Sequence, residues 1–317
     1  MKRFLCVVAI LAGLVAGSVY AGVVEDIAAM KALKTGGYGA ADYGPAIAAK
    51  AQTILDTYAA DLTAAQKLDI YNFVGWSYWE TAGSKAPGVE WYGKVLTNTS
   101  TAAADYDTRR NAKWMQGVIT GVTDRAAGVA LMEDAWGMPK KDSTVADSLD
   151  WAITVWIGNY TDGAGAIAAV YESKLINNPQ FTVRNYQYNQ AVRTVISGKF
   201  YAAGKWNAAG ATAYLAAHPF GVTDTWTDDY SLAAQIKQAG GDLAGAREGF
   251  LECFRTLKRG GNPDVAIAAF QAIDNETMFK DAAEQTAFYN LLLRVVPATE
   301  GNAKFLGLVK SQIEAMK

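Results

Sequence analysis

Cysteine, histidine and proline are scarce in this chain: two, one and seven among 317 residues. Cys6 lies inside an N-terminal apolar run whose removal would leave Cys253 alone, which excludes an internal disulfide. That lone thiol, in LECFRTL at helical spacing from Phe250 and Leu257, reads as a buried packing group. One histidine and one cysteine do not make a zinc site, and His218 in AAHPFG reads as a helix-terminal residue. Also missing is any basic block. With a net charge of −2 the chain offers no electrostatic footprint for phosphates, so nucleic acid is not an expected partner. No Walker loop, G-x-S-x-G elbow or dinucleotide fingerprint occurs, and the glycine-rich run TGGYGAADYG sits between helical segments. No metal or cofactor is therefore expected.

Long apolar runs are confined to the start. Met1-Lys2-Arg3 is followed by an apolar stretch from Phe4 to Gly17, shorter than the roughly 20 residues that span a bilayer. Val19 and Ala21 occupy the −3 and −1 positions of a cleavage point, so residues 1–21 read as a signal peptide and 22–317 as one exported domain, periplasmic or secreted. Cys6 is not at the cleavage point, which argues against a lipid anchor. No later segment approaches eighteen uninterrupted apolar residues, so no membrane span is expected after cleavage.

Helical periodicity is abundant. In DYGPAIAAKAQTILDTY, Ala46, Lys50, Ala51, Ile54, Leu55 and Tyr58 recur on one face, with Pro45 in the first turn. KLDIYNFVGWSYWETAGSKAPGVEWYGKVL, residues 67–96, reads as two short helices folded back by a Gly/Pro turn. Further pairs follow: 105–120 with DRAAGVALMEDAW, 147–160 with DGAGAIAAVYESKL, 186–203 with KWNAAGATAYLAA, and DDYSLAAQIKQAG with DLAGAREGFLECFRTL. Asn262 and Pro263 open a later helix as N-cap and first-turn residues. Alternation of the strand kind never persists. Pro139, Pro179 and Pro219 are spaced by forty residues, and the small residues opening the second helices repeat at the same mean interval. Two-helix repeats of this length imply a stack in which each hairpin buries its apolar face on its neighbours.

Tyr71, Val74-Gly75 and Tyr78 on a first helix, then Gly88, Tyr92 and Val95 on a second, resemble the tetratricopeptide repeat family. Gly241-Asp242-Leu243, Ala246, Phe250 and Cys253 offer a later copy, Gly204, Trp206, Ala209 and Pro219 a third, and Asp42-Tyr43 with Ala46 a partial one. The resemblance covers most of residues 24–260 in degenerate copies, nearer forty residues than the family's roughly thirty-four. It implies an all-α, right-handed superhelix, an α-solenoid of about seven stacked hairpins and about fifteen helices, with residues from about 262 to 317 as capping helices.

A concave face lined by outward positions of the first helices would then bind a protein or peptide. Asn72, Trp76, Trp79 and Glu80 in the best copy and Arg110 and Lys113 in the next are the candidate contacts. Trp76 and Trp79, with Trp114, Trp151 or Trp156, could form a platform for a peptide or a glycan, since a tryptophan face offers large contact area at low entropy cost. The reading is of an exported interaction scaffold in the cell envelope, with a carbohydrate-binding helical protein second. A helical toroid hydrolase or lyase comes third, because Asp228-Asp229 and Asp147/Asp150 are carboxylate pairs near tryptophan; helix capping is the competing account of both.

Overall fold

In the computed structural model, which describes residues 22–144, 146–181, 185–221 and 225–317, most helices begin where a short polar side chain precedes an apolar-periodic stretch. The expected signal peptide lies outside the described residues. Thr63, Asp124, Asp147, Asn185, Asn207, Asp242, Asn262, Asp274 and Asp281 each accept a first-turn backbone N–H from their own helix. Such a cap is worth about 1 kcal/mol, because it satisfies a donor that has no partner inside the helix. Asn262 and Pro263 act as the sequence predicts.

The fold is all-α, with sixteen helices among the described residues. The first seven are α1 (22–32), α2 (Gly44–Thr57), α3 (Ala64–Glu80), α4 (Pro87–Asn98), α5 (Tyr106–Gly121), α6 (Arg125–Gly137) and α7 (Ser148–Tyr160). The others are α8 (Ala164–Tyr171), α9 (Tyr186–Phe200), α10 (Ala208–Ala217), α11 (Thr227–Ala239), α12 (Leu243–Arg255), α13 (Pro263–Gln271), α14 (Asn275–Met278), α15 (Ala282–Val295) and α16 (Ala303–Ala315). Two compact units meet in sequence between Thr161 and Asp162, so the expected pairing of 147–160 with α8 straddles that boundary.

In unit 1 consecutive helices from α2 to α7 pack on one another. Small residues set the spacing. A Cβ on Gly75 would lie 2.7 Å from the Tyr92 ring, and one on Gly88 would lie 2.9 Å from Ile119 and 3.1 Å from the Gly75 carbonyl. The axes of α3 and α4 approach this closely only because both positions lack a side chain, and the buried Tyr71, Tyr78 and Tyr92 fill the flanking grooves. These are the residues that the sequence marks as a packing signature.

Unit 2 packs differently. Phe250, Phe254, Phe270, Tyr289 and Phe305, from four of its last helices and all buried, form an aromatic core in which Phe254 and Phe305 have ring centroids 5.1 Å apart. Burying each such ring contributes about 1.5–3 kcal/mol. Cys253 belongs to this core, and burial pushes its thiol up to about 12. The only paired strands among the described residues are Tyr201–Ala202 and Lys205–Trp206, antiparallel with Tyr201 opposite Trp206. This corrects the expectation of a helix through 203: α9 ends at Phe200, and Ala203 and Gly204, with φ of 50° and 77°, make a two-residue turn that matches the strand twist.

Candidate functional site

The sequence-predicted contacts in unit 1 separate once their surroundings are known. Trp76 is exposed at 39% on α3. Trp79 is buried at 9%, a correction to its expected outward position: its ring lies 5.3 Å from Tyr38 and 5.4 Å from Trp156, and Trp156 in turn lies 5.7 Å from Tyr160. Trp79 and Trp156 do come together, as core rather than platform. Lys85 closes this aromatic run. Its Nζ donates to the Trp79 and Thr81 carbonyls at 2.6 and 2.7 Å and sits over the Tyr38 ring, and burial lowers its pKa. Glu80 is tied to Lys34 and accepts from the Tyr43 hydroxyl at 3.4 Å. Asn72, two turns earlier on α3, is half-buried.

Arg110 is the largest correction. It is wholly buried, so it lines no groove. Its guanidinium donates to the Ala135 carbonyl at 3.1 Å, to Asp147 at 3.0 Å and to Asp150, and Lys140 also reaches Asp150 at 2.8 Å. Lys113, one turn along α5, pairs with Asp134 at 3.3 Å at the surface.

The carboxylate pairs are mostly structural. Asp147 and Asp150 form a reciprocal capping box at the start of α7, each accepting the other's backbone N–H. At the start of α11, Asp229 is fully buried and accepts from the Trp226 N–H at 2.8 Å, Asn189 Nδ2 at 3.2 Å and Arg193. Burial pushes its carboxyl up, against the pull of Arg193 and the hydrogen bonds from Trp226 and Asn189. Capping therefore accounts for Asp147, Asp150 and Asp229. Asp228 has no hydrogen-bond or ion-pair partner among the described residues and is only partly buried.

Asp228 lines a cleft of about 690 Å³ in unit 2, between α8, α9, α11 and the hairpin. Ile167, Leu232 and Val265 supply apolar wall; Thr194, Ser197 and Gln235 supply hydroxyls and an amide. Arg193 reaches the wall with its guanidinium held by Asp229 and lying 5.6 Å from the Tyr186 ring. Tyr201, 45% exposed, and Trp206 stand at the rim with ring centroids 4.7 Å apart. The hairpin fixes this pair, since residues directly opposite across two strands put their side chains on the same face. A volume of this size, with apolar walls and a few convergent polar groups, is the usual form of a binding site. Sequence reasoning placed Trp206 among packing residues and missed Tyr201. The signal available for them was Ala203-Gly204, a turn dipeptide flanked symmetrically by two aromatics.

His218 ends α10 as its C-cap, with its ring centroid 4.6 Å from that of Tyr214 and the two planes tilted by 40°. Among the described residues no cluster of three or more His, Cys, Asp or Glu could hold a metal ion, and no helix is long and apolar enough to cross a membrane. Comparison with protein-family models, with curated proteins and with solved structures finds no match to this chain.

Proposed function

We propose that this is an exported, tetratricopeptide-like helical repeat protein that acts as an interaction scaffold in the cell envelope and holds an extended segment of a partner protein in the unit 2 cleft. The observation that carries the reading is the pairing of the exposed Tyr201 with the half-buried Trp206 on a cleft of about 690 Å³ whose walls offer both apolar surface and hydrogen-bonding side chains. Aromatic anchors beside a groove supply most of the energy at peptide-binding surfaces. The repeat reading gains support from polar links that recur at one interval: Arg110 to Asp150 and Asn189 to Asp229 both span 40 residues, and Thr81 to Asp42 spans 39. Export rests on the charged start, the apolar run and the small-residue cleavage point of residues 1–21.

Capture from envelope extract with the mature protein as bait tests the reading. A defined partner should be retained by the native chain and lost with Tyr201→Ala/Trp206→Ala; retention of every partner by that folded variant would overturn the assignment to this cleft.

A glycan is the second reading, favoured by the same aromatic pair standing beside hydroxyl and amide side chains. Retardation on polysaccharide gels, abolished by Trp206→Ala, would replace the first reading. Hydrolysis by a carboxylate pair has less support: acid and base must both be available, roughly 5 to 9.5 Å apart. Of the two pairs in question, Asp147, Asp150 and Asp229 are engaged in caps and ion pairs.

A further inference from the structure

We infer that the cleft of unit 2 selects a cationic side chain, an arginine or lysine of the bound segment, with Asp228 as its counter-ion and the Tyr201–Trp206 pair as its aromatic wall; the inference rests on the peptide-binding reading given above. The charge inventory of the cleft decides the sign. Among the described residues two that line it are charged, Arg193 and Asp228. Arg193 is neutralised in place: its guanidinium is paired with the fully buried Asp229 and covered on one side by Tyr186, and its side chain is 14% exposed. Asp228 has no such partner among the described residues. It occupies the second helical position of α11, where the aligned peptide dipoles offset about half a charge, so a net negative potential remains in the cleft.

An anionic group entering the cleft would meet that carboxylate with no free cation to receive it. A cation would donate a charge-assisted hydrogen bond to Asp228, stronger than a neutral one, and would meet the faces of Tyr201 and Trp206. Guanidinium fits best, because it binds a carboxylate through parallel N–H groups while its plane stacks on an aromatic ring. The apolar residues Ile167, Leu232 and Val265 would accommodate the aliphatic stem.

The test uses the mature chain and four blocked pentapeptides, Ala-Ala-X-Ala-Ala, with X as arginine, lysine, citrulline or norleucine. Binding is followed through the indole N–H resonance of Trp206 and the intrinsic fluorescence. Arginine and lysine peptides should saturate the signal. Citrulline, which keeps the shape and loses the charge, should bind at least tenfold more weakly. Asp228→Asn should weaken the arginine peptide by a similar factor, Asp228→Glu should restore most of it, and raising salt from 20 to 200 mM should weaken binding in the native and Asp228→Glu chains but not in Asp228→Asn.

Equal binding of citrulline and arginine, or an unchanged affinity in Asp228→Asn, would overturn the cationic anchor and leave the peptide cleft standing. If no peptide of any charge moves the Trp206 signal while cello- or chito-oligosaccharides do, or if neither kind of probe does, the anchor and the peptide reading both fall. Circular dichroism of each variant separates loss of binding from loss of fold.

Discussion

At the start of α7, in unit 1, Asp147 and Asp150 hold each other's backbone and together receive the buried Arg110; at the start of α11, in unit 2, Asp229 holds the Trp226 N–H and receives Asn189 and Arg193. In both turns the carboxylate three residues past the cap is buried and takes a donor from a helix 36 to 40 residues earlier. One residue before it they diverge. That position is Leu149 in α7 and Asp228 in α11, and around Asp228 the surface opens into a cleft. The same local device thus serves packing alone in unit 1 and borders a cleft in unit 2. Within Asp228-Asp229, the inward acid is fixed by three donors and the other faces the cleft.

The sharpest way to break the comparison is Arg110→Ala. It strands Asp150 in the interior with Lys140 as its remaining cation, and should cost about 3–5 kcal/mol, read by chemical denaturation. Arg193→Ala should cost less, about 1.5–3 kcal/mol, because Asn189 and the Trp226 N–H still hold Asp229 and the side chain is not fully desolvated. Equal losses would mean that the two turns are equivalent after all. Gly75→Ala tests the packing contrast between the units. The new methyl would lie 2.7 Å from Tyr92 and should cost about 1–3 kcal/mol, whereas Gly301→Ala, with open space around it in unit 2, should be close to neutral.

Acid should act on both units alike. Asp26 is held below the usual carboxylate range by hydrogen bonds from Lys50 and Tyr58, and Glu284 by the Lys280 N–H and Arg247. A carboxyl lowered in the folded state contributes stability above its unfolded value, and this is lost as pH falls through the folded value. The unfolding midpoint should therefore hold from pH 7 to about 5 and drop below about 4, with Asp26→Asn flattening part of that drop. The smallest stability effect is expected for Asp228→Asn, within about 0.5 kcal/mol of the native chain by thermal melting. A large loss there would make Asp228 a structural acid like its neighbour.

Helix positions were legible because their determinants are local. Asn262-Pro263, or Asp242 ahead of LAGAREGF, announces a helix start within a few residues. The interval of forty was legible too, since the polar links between helices repeat it. Burial of Arg110 was not: arginine is normally a surface residue, and the cue lay forty positions away in an aspartate that already had a capping role. Trp79 misled for a related reason, as its position on α3 does not reveal that Trp156 of α7 lies against it. The hairpin was masked by the alanines around it, which favour helix, while two positive φ values at Ala203 and Gly204 decided otherwise. The cleft joins residues from 164 to 265, and no window of sequence contains it.

The links from Thr81 to Asp42, Arg110 to Asp150, Tyr160 to Val118 and Asn189 to Asp229 close segments of 39, 40, 42 and 40 residues in a chain of 317. Closing segments of so uniform a length carries a similar and modest entropic cost at each link, because that cost grows only slowly with loop length. Each segment can find its partners as soon as one more interval of chain has emerged. Assembly can then proceed from the N-terminus during synthesis, and a break in the middle should leave the preceding helix pairs able to form.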